Sequence, residues 1–383
     1  MTTEESIQDP AEARSRFLEV WHMLKGNSLA LSGMIIFVLF FFIALSGLFL
    51  TYGQEPILNP SKIRLQEKLR PPLSEPNLDT LSPDEVPALG IYLLGTDDLG
   101  RDVFARMLQG AWVSLTVGFV AVGIAVLVGI FMGGIAGFFG QLRMKLDWII
   151  VISVFFLGLV FVFAGATSAG AILLITGILV ILISFIIKKT AWGGRSLLRW
   201  RVFFRRGTIS IDTIVMRLVD IMLCFPSFFL ILTVVALLPA SLYNIMIVIG
   251  LTSWMGTTRF VRAEFLSLRE QDFVSAARAL GVGNFRIIFR HMMPNAIAPV
   301  LVSATIGIAT AILTEAGLSF LGFGVPPPHA TWGNILSDGK RFIFDAPWLT
   351  FVPGMAILIV VLSFNLFGEG LRDILNPRLR EGN

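Results

Sequence analysis

The sequence predicts an all-α, polytopic membrane protein with about eight transmembrane helices. First, 55% of its 383 residues are hydrophobic and only 15% are charged, a balance that does not keep a soluble domain in solution. Second, the apolar residues form charge-free stretches that are long enough to cross a bilayer as helices. Third, basic residues collect in the short segments between those stretches, which is typical of cytoplasmic loops.

The N-terminal part is predicted to hold one membrane crossing and one long polar loop. Residues 1–28 form a polar, cytoplasmic tail, and the charge-free stretch 29–50 is the first transmembrane helix. Residues 51–110 are rich in Pro, Asp and Glu. The stretch from Thr51 to Asp98 contains eight acidic residues and only four basic residues. Because positive charge marks the cytoplasmic side, we place this loop outside the cell.

Near the end of that loop, charged residues suggest two different features. Asp97 and Asp98, with Arg101 and Asp102, could form a metal or peptide site. Alternatively they mark the start of a helix at the membrane surface, where aspartate near a helix N-terminus is stabilising.

Residues 111–371 are predicted to form the transmembrane domain, and residues 372–383 form a second cytoplasmic tail. In the first helix of the domain, 111–140, glycine recurs every four residues, a pattern typical of a closely packed helix face. These glycines are Gly129, Gly133 and Gly137. Four further spans are expected: two within 221–258, one at 295–314 and one at 346–368.

Residues 141–206 are predicted to be an extra hairpin of two helices followed by a strongly basic loop. The 40 residues from 148 to 187 carry no charge and are broken near their middle by a Gly-Ala-Thr-Ser-Ala-Gly turn. Because two crossings are an even number, they leave the following segment on the cytoplasmic side. We expect the hairpin to be peripheral, with a regulatory or subunit-docking role as the alternative.

The segment 262–294 carries five arginines and three acids between two apolar spans, so it is expected to lie in water. One helical face is predicted to contain Phe273, Ala276, Ala277 and Leu280. We expect Gly281 to end this helix in a left-handed conformation. We also expect Asn284 to cap a second helix and Pro294 to end it. The small residues suggest a docking element, and an ordinary amphipathic surface helix is the alternative.

Ala276, Ala277, Gly281 and Pro294 have the spacing of a known family pattern. The segment resembles the cytoplasmic EAA loop of binding-protein-dependent ABC importer permeases, and the segments 94–102, 315–333 and 364–380 resemble the dipeptide, oligopeptide and nickel branch of that family. The usual members lack the insertion at 141–206. Three positions depart from the loop pattern, namely Ser275, His291 and Met293.

The resemblance implies one subunit of a multi-subunit importer in a bacterial inner membrane, with a six-helix permease core and alternating access as its mechanism. Its partners would be a homologous permease, two ATP-binding subunits, an extracytoplasmic solute-binding protein and membrane lipid. ATP and Mg²⁺ would bind to the partner ATPase subunits, so this chain would be neither an enzyme nor a cofactor carrier. The implied ATPase-coupling residues are Ser275, Ala276, Ala277, Arg278, Leu280, Gly281 and Pro294.

Three ionisable residues at the ends of spans are further candidates: Arg217, Asp220 and Glu315. Ionisable groups inside a membrane often line a transport pathway, but side chains at helix ends also pair locally or reach the interface. Arg217 and Asp220 lie three residues apart, on one face of a helix. Both interpretations stay open.

Other function classes fit the sequence less well. An ion-driven secondary transporter would show repeat symmetry and buried acids near the middle of its spans. A membrane enzyme would show clustered His, Asp or Ser within the spans. The sequence contains no phosphate-binding loop of the G-x4-G-K-[ST] type and no metal-ligand spacing, and its modest positive charge requires no nucleic-acid partner. Within the importer class, nickel or another small solute remains the alternative to peptides.

Overall fold

The computed structural model describes residues 23–53, 56–79, 81–83, 85–145 and 208–375, and almost all of its regular structure is helical. The helices are α1 (Ser28–Thr51), α2 (Val103–Phe139), α3 (Ile211–Cys224), α4 (Ser227–Leu237), α5 (Leu242–Leu251), α6 (Trp254–Arg269), α7 (Asp272–Ala279), α8 (Asn284–Phe320), α9 (Trp332–Gly339) and α10 (Trp348–Leu375). Short 3₁₀ turns cover Leu65–Glu67 and Lys340–Phe342, and two short strands are β1 (Arg143–Lys145) and β2 (Thr208–Ser210). The predicted all-α class is confirmed.

Four of these helices, α1, α2, α8 and α10, are long and apolar enough to cross a membrane. The pair α3–α4 adds a fifth crossing if its 83° bend lies within a single span. The bend falls at Phe225, whose extended backbone is the conformation favoured before proline, here Pro226. Helix α2 begins at Val103 rather than at 111, because the Asp102 carboxylate accepts hydrogen bonds from two backbone N–H groups of its first turn.

The structure does not reproduce the full count of eight helices. The crossing expected after Pro239 is divided between α5 and α6 by a break at Thr252 and Ser253, and neither piece alone qualifies as a span. The two helices predicted in the 141–206 insertion lie outside the described residues. On either side of the gap, β1 and β2 pair antiparallel, with Arg143 opposite Ser210. The chain therefore leaves and returns at one end of the bundle.

Helix α2 packs on α6 through the glycine face that the sequence predicted. A Cβ atom on Gly129 would lie 2.6 Å from Thr257 Cβ, and one on Gly137 would lie 2.5 Å from Phe265 Cβ. Between them, a Cβ on Gly133 would lie 2.7 Å from a backbone oxygen of α6. These distances are shorter than carbon contacts allow, so only glycine permits this approach and the prediction of a packed face is confirmed.

The two ends of the bundle differ in structure. At the loop end, defined by residues 52–102 and α9, the Trp332 side chain is buried and its Nε1 donates to the Met107 carbonyl oxygen at 3.2 Å. At the opposite end, the α7 end, α6 leads into α7. The start of α1 and the last turns of α10 also meet there, in a cluster that contains Leu24, Ala30 and Ile374.

Candidate coupling site at the α7 end

Helix α7 is short and is ended by a Schellman motif. Gly281 adopts φ +74°, a left-handed conformation that glycine reaches without steric cost. The Val282 N–H donates to the Ala277 carbonyl and the Gly281 N–H donates to the Arg278 carbonyl, both at 3.0 Å. These are the two hydrogen bonds that define the motif. The predicted helix stop at Gly281 is confirmed.

One face of α7 is buried against the chain's own core. Val274 is fully buried and Ala277 is nearly so, in a cluster with Val261 and Phe265 of α6. Ile287 at the start of α8 belongs to the same cluster and is also fully buried. Because these side chains interlock three helices, a force applied to α7 is transmitted to α6 and α8.

The opposite face of α7 and the following turn expose apolar side chains. Leu280 is 83% exposed, Phe273 is 40% exposed and Ala276 is exposed. Phe285 and Phe289, on the first turns of α8, are also exposed and their rings lie 4.5 Å apart. We call these five residues the α7 ridge. Exposed apolar side chains on a short helix and the turns beside it are typical of a protein contact surface.

The predicted coupling residues are divided between the two faces. Ala277 faces inward, so the predicted common face with Phe273, Ala276 and Leu280 is only partly formed. The Arg278 guanidinium carbon lies 5.3 Å from the centre of the Phe138 ring on α2, a cation–π contact that ties α7 to α2. The other six predicted residues are exposed, namely Ser275, Ala276, Arg278, Leu280, Gly281 and Pro294.

Two details of the second helix were predicted wrongly. Gly283, not Asn284, is the cap residue of α8, and no side chain caps that end. Pro294 is exposed and does not end the helix, which continues to Phe320. A π-helical turn over Ile287–Met292 comes just before Pro294. Such a turn changes the hydrogen-bond register and accommodates a residue that has no N–H group.

Ion pairs connect α6 to α3 beside the ridge. Arg262 binds Asp212 through two hydrogen bonds, one of them from Nη2 to Oδ2 at 2.6 Å. The hydrogen bonds that Arg262 donates to Asp212 raise the pKa of Arg262. The predicted pair of Arg217 and Asp220 is also present at 3.7 Å, but Arg259 of α6 lies nearer to Asp220, at 2.9 Å. Because the side chains of Arg217, Asp220 and Arg259 are all exposed, these ion pairs contribute little to stability.

Glu315 lies near the loop end of α8 and is fully buried. The Ser319 hydroxyl donates to its Oε1 at 2.6 Å, and the Ser114 hydroxyl of α2 donates to its Oε2 at 3.4 Å. The Thr331 hydroxyl, which caps α9, donates in turn to Ser319 Oγ at 3.4 Å. Within the described part of the chain Glu315 has no cationic partner, so its predicted helix-end ion pair is not formed there. The carboxyl group joins α2, α8 and α9.

Sequence reasoning missed a buried ionic network at the loop end. The fully buried Asp97 accepts from Arg101 Nε at 2.7 Å and from Arg106 Nη1 at 2.5 Å, and both arginines also donate to Asp338 of α9. The segment 94–102 resembles a family motif, but its partner in α9 lies more than 200 positions away in the sequence. Asp102 caps α2, which confirms the helix-start interpretation. No group of three or more metal-ligand side chains occurs among the described residues.

Comparison with known proteins agrees with this geometry. Residues 205–381 match the family model described as the binding-protein-dependent transport system inner membrane component, and residues 15–72 match the N-terminal transmembrane domain of oligopeptide transport permease C. The first match covers α3 to α10 and therefore includes the whole α7 ridge.

Similar proteins come from several bacteria. The dipeptide transport system permease protein DppC of Alkalihalophilus pseudofirmus is 35% identical over 97% of this chain and 93% of its own length. The oligopeptide transport system permease protein OppC of Bacillus subtilis is 30% identical over 97% and 94%. The DppC protein of Haemophilus influenzae is 32% identical over 76% and 75%.

The first two alignments cover 97% of this chain and therefore run across the predicted insertion at 141–206. At this similarity and coverage, the relationship extends over nearly the whole chain. It includes the membrane helices, the α7 ridge and the loop end. The chain belongs to the family of inner-membrane components of binding-protein-dependent transport systems.

Proposed function

We propose that this chain is the translocating subunit of an ATP-driven importer of dipeptides and oligopeptides. It pairs with a homologous permease to form the pore, and two ATP-binding subunits attach at the α7 end. An extracytoplasmic solute-binding protein delivers substrate at the loop end. The observation that carries the proposal is the α7 ridge, an exposed apolar surface on a short helix that is packed against the membrane helices.

The packing suggests how ATP-driven motion reaches the pore. A partner that holds the α7 ridge pulls on α7, whose buried face is interlocked with α6. Helix α6 cannot slide freely on α2, because the glycine face at Gly129, Gly133 and Gly137 fits against its backbone. The ion pair of Arg262 with Asp212 carries the same motion to α3. Closure of the ATPase subunits would therefore rock α2, α3 and α6 together, as alternating access requires.

The proposed orientation places the α7 end in the cytoplasm. Arg143, Arg262, Arg269 and Arg286 lie at this end, and an excess of basic residues in short loops faces the cytoplasm. The start of α1 and the last turns of α10 pack together at the α7 end. Both chain termini are therefore proposed to be cytoplasmic. ATP and Mg²⁺ would bind only to the partner ATPase subunits, and the energy would enter this chain through contacts alone.

Peptides are proposed as the substrate because the relatives are named as dipeptide and oligopeptide permeases. Nickel or another small solute is the alternative within the same transport class. The test is uptake by a bacterial strain from which the gene for this chain has been deleted, with and without the full chain restored. Restored uptake of a labelled dipeptide, competed by unlabelled dipeptide and not by nickel, is expected. Restored nickel uptake with unchanged dipeptide uptake would overturn the substrate assignment.

A second candidate, an ion-driven transporter, receives support from one observation. Glu315 is a buried acid inside a membrane helix, as a proton relay would require. It lies five residues from the end of α8, however, and its hydroxyl partners connect it to α9 rather than to the middle of the membrane. This position favours a structural role.

A further inference from the structure

An open groove of about 480 Å³ lies on the side of the bundle, between α4, α8, α9 and α10. Its walls include Phe228, Leu313, Phe320, Leu336, Gly354 and Ile357. Both α8 and α10 have the length and composition of membrane spans. The groove therefore lies at the depth of the bilayer, toward the loop end, and Leu313 remains 55% exposed on its wall.

The chemistry of the groove suits a hydrocarbon chain. Among the described residues that line it, Thr314 contributes the only polar side chain, and that hydroxyl already donates to the Thr310 carbonyl at 2.7 Å. A peptide in this groove would find no partner for its amide groups, and burying unpaired amides costs several kcal/mol. From Leu313 to Phe320 the groove follows about two turns of α8, a length on the order of 10 Å.

A basic residue lies at the Phe320 end of the groove, and a second basic residue follows it in the chain. Lys340 Nζ lies 5.2 Å from the centre of the Phe320 ring, which lines the groove. Arg341 is the next residue, and both side chains are exposed. Neither forms an ion pair with an acid in the described part of the chain. The neighbouring Ile343 and Phe344 are 42% and 96% exposed, a mixture of basic and apolar side chains that is typical of a bilayer interface.

We propose that this groove binds an anionic phospholipid of the outer leaflet. One acyl chain occupies the groove between α8 and α10, and the phosphate lies against Lys340 and Arg341. The positive charge of Lys340 and Arg341 favours an anionic lipid over a neighbouring protein helix as the occupant of the groove. A helix would cover the apolar wall but would leave the two cations without a counter-charge. The site is independent of the transported substrate.

The test is native mass spectrometry of the full chain, purified in detergent and titrated with dioleoyl phosphatidylglycerol or with the corresponding phosphatidylcholine. Gly354→Leu fills the groove, because a Cβ at this position meets only Leu336, at 4.0 Å. We expect this variant to lose one bound phosphatidylglycerol. Gly123→Leu is the matched control, since a Cβ on this exposed glycine meets nothing within 4 Å.

The charged part of the site is tested separately by Lys340→Gln combined with Arg341→Gln. We expect phosphatidylglycerol to bind about fivefold more weakly for each charge removed, with no change for phosphatidylcholine. The control is the pair Arg286→Gln and Arg290→Gln, two exposed basic residues at the α7 end. Because these substitutions lie on the surface, the test holds even if Gly354→Leu fails to fold.

Three results would overturn the proposal. The first is equal phosphatidylglycerol binding by the wild type, Gly354→Leu and the double glutamine variant. The second is weakening by the α7-end control of the same size as that at Lys340 and Arg341. The third is efficient cross-linking of a Leu336→Cys variant to the homologous permease in the assembled complex, which would show that protein occupies the groove.

Discussion

Leu280 has the most exposed large side chain of the α7 ridge, and its substitution tests the role of that surface. Replacing Leu280 by alanine removes apolar surface that the chain itself leaves 83% exposed. The substitution leaves the buried face of α7 unchanged, because Val274 and Ala277 lie on the other side. It also keeps the backbone hydrogen bonds of the Schellman motif, which involve no side chain of Leu280. The folded chain should therefore be as stable as the wild type.

The expected effect is a weaker affinity for the proposed ATP-binding subunits. Burying a leucine side chain contributes about 1.5–3 kcal/mol. Truncation to alanine removes most of that contribution, on the order of 1–2 kcal/mol, if Leu280 enters a cleft on the ATPase. Since 1.4 kcal/mol corresponds to a tenfold change, the dissociation constant should rise about tenfold.

The assay is co-purification and titration of the ATP-binding subunits with membranes that contain each variant. Leu78→Ala is the matched control, because Leu78 is 67% exposed but lies at the loop end. It should leave ATPase binding unchanged. Equal binding by Leu280→Ala and the wild type, with normal transport, would refute the assignment of the α7 ridge. Ala277 is unsuitable for this test, since a change there perturbs the chain's own core.

Three further predictions concern stability, measured by unfolding in one detergent. Gly133→Leu should destabilise the chain by about 1–3 kcal/mol because it forces α2 away from α6, whereas Gly123→Leu should not; equal effects would show that the glycine face is not needed. Glu315→Ala should cost about 1–3 kcal/mol because two buried serine hydroxyls lose their acceptor, and Glu315→Gln should cost less; the reverse order would contradict the hydrogen-bond role. Burial raises the pKa of Tyr92 from 10.0 to about 12. As pH rises, the unfolded chain therefore loses the Tyr92 proton before the folded chain does. About 2–3 kcal/mol of folding stability, fully present below pH 10, should be lost as pH rises to 12. Tyr92→Phe should remove that part of the alkaline loss, and an unchanged pH profile in the variant would contradict it.

Features that depend on neighbouring residues could be predicted from the sequence. The left-handed Gly281 follows from local helix-ending rules. The glycine face of α2 follows from a four-residue repeat, although only the structure shows that α6 is its partner. Charge-free length was sufficient to locate α1 and α10.

Features that depend on distant contacts could not be predicted in this way. The break between α5 and α6 carries no proline, so its sequence reads as one apolar run. The helix across Pro294 persists because a π-helical turn comes before it, an adjustment that composition does not reveal. Asp97 and Asp338 are far apart in sequence and are linked by ion pairs to the same two arginines. Ala277 points inward because it packs against residues of α6 and α8.

The most direct test of the central claim is transport by proteoliposomes that contain this chain, the homologous permease and the two ATP-binding subunits. The solute-binding protein loaded with labelled dipeptide is supplied outside, and ATP with Mg²⁺ is enclosed inside. The account predicts dipeptide uptake that requires ATP, persists when proton and sodium gradients are abolished, and falls in the Leu280→Ala variant. Uptake driven by an ion gradient without ATP, and lost in a Glu315→Gln variant, would contradict it.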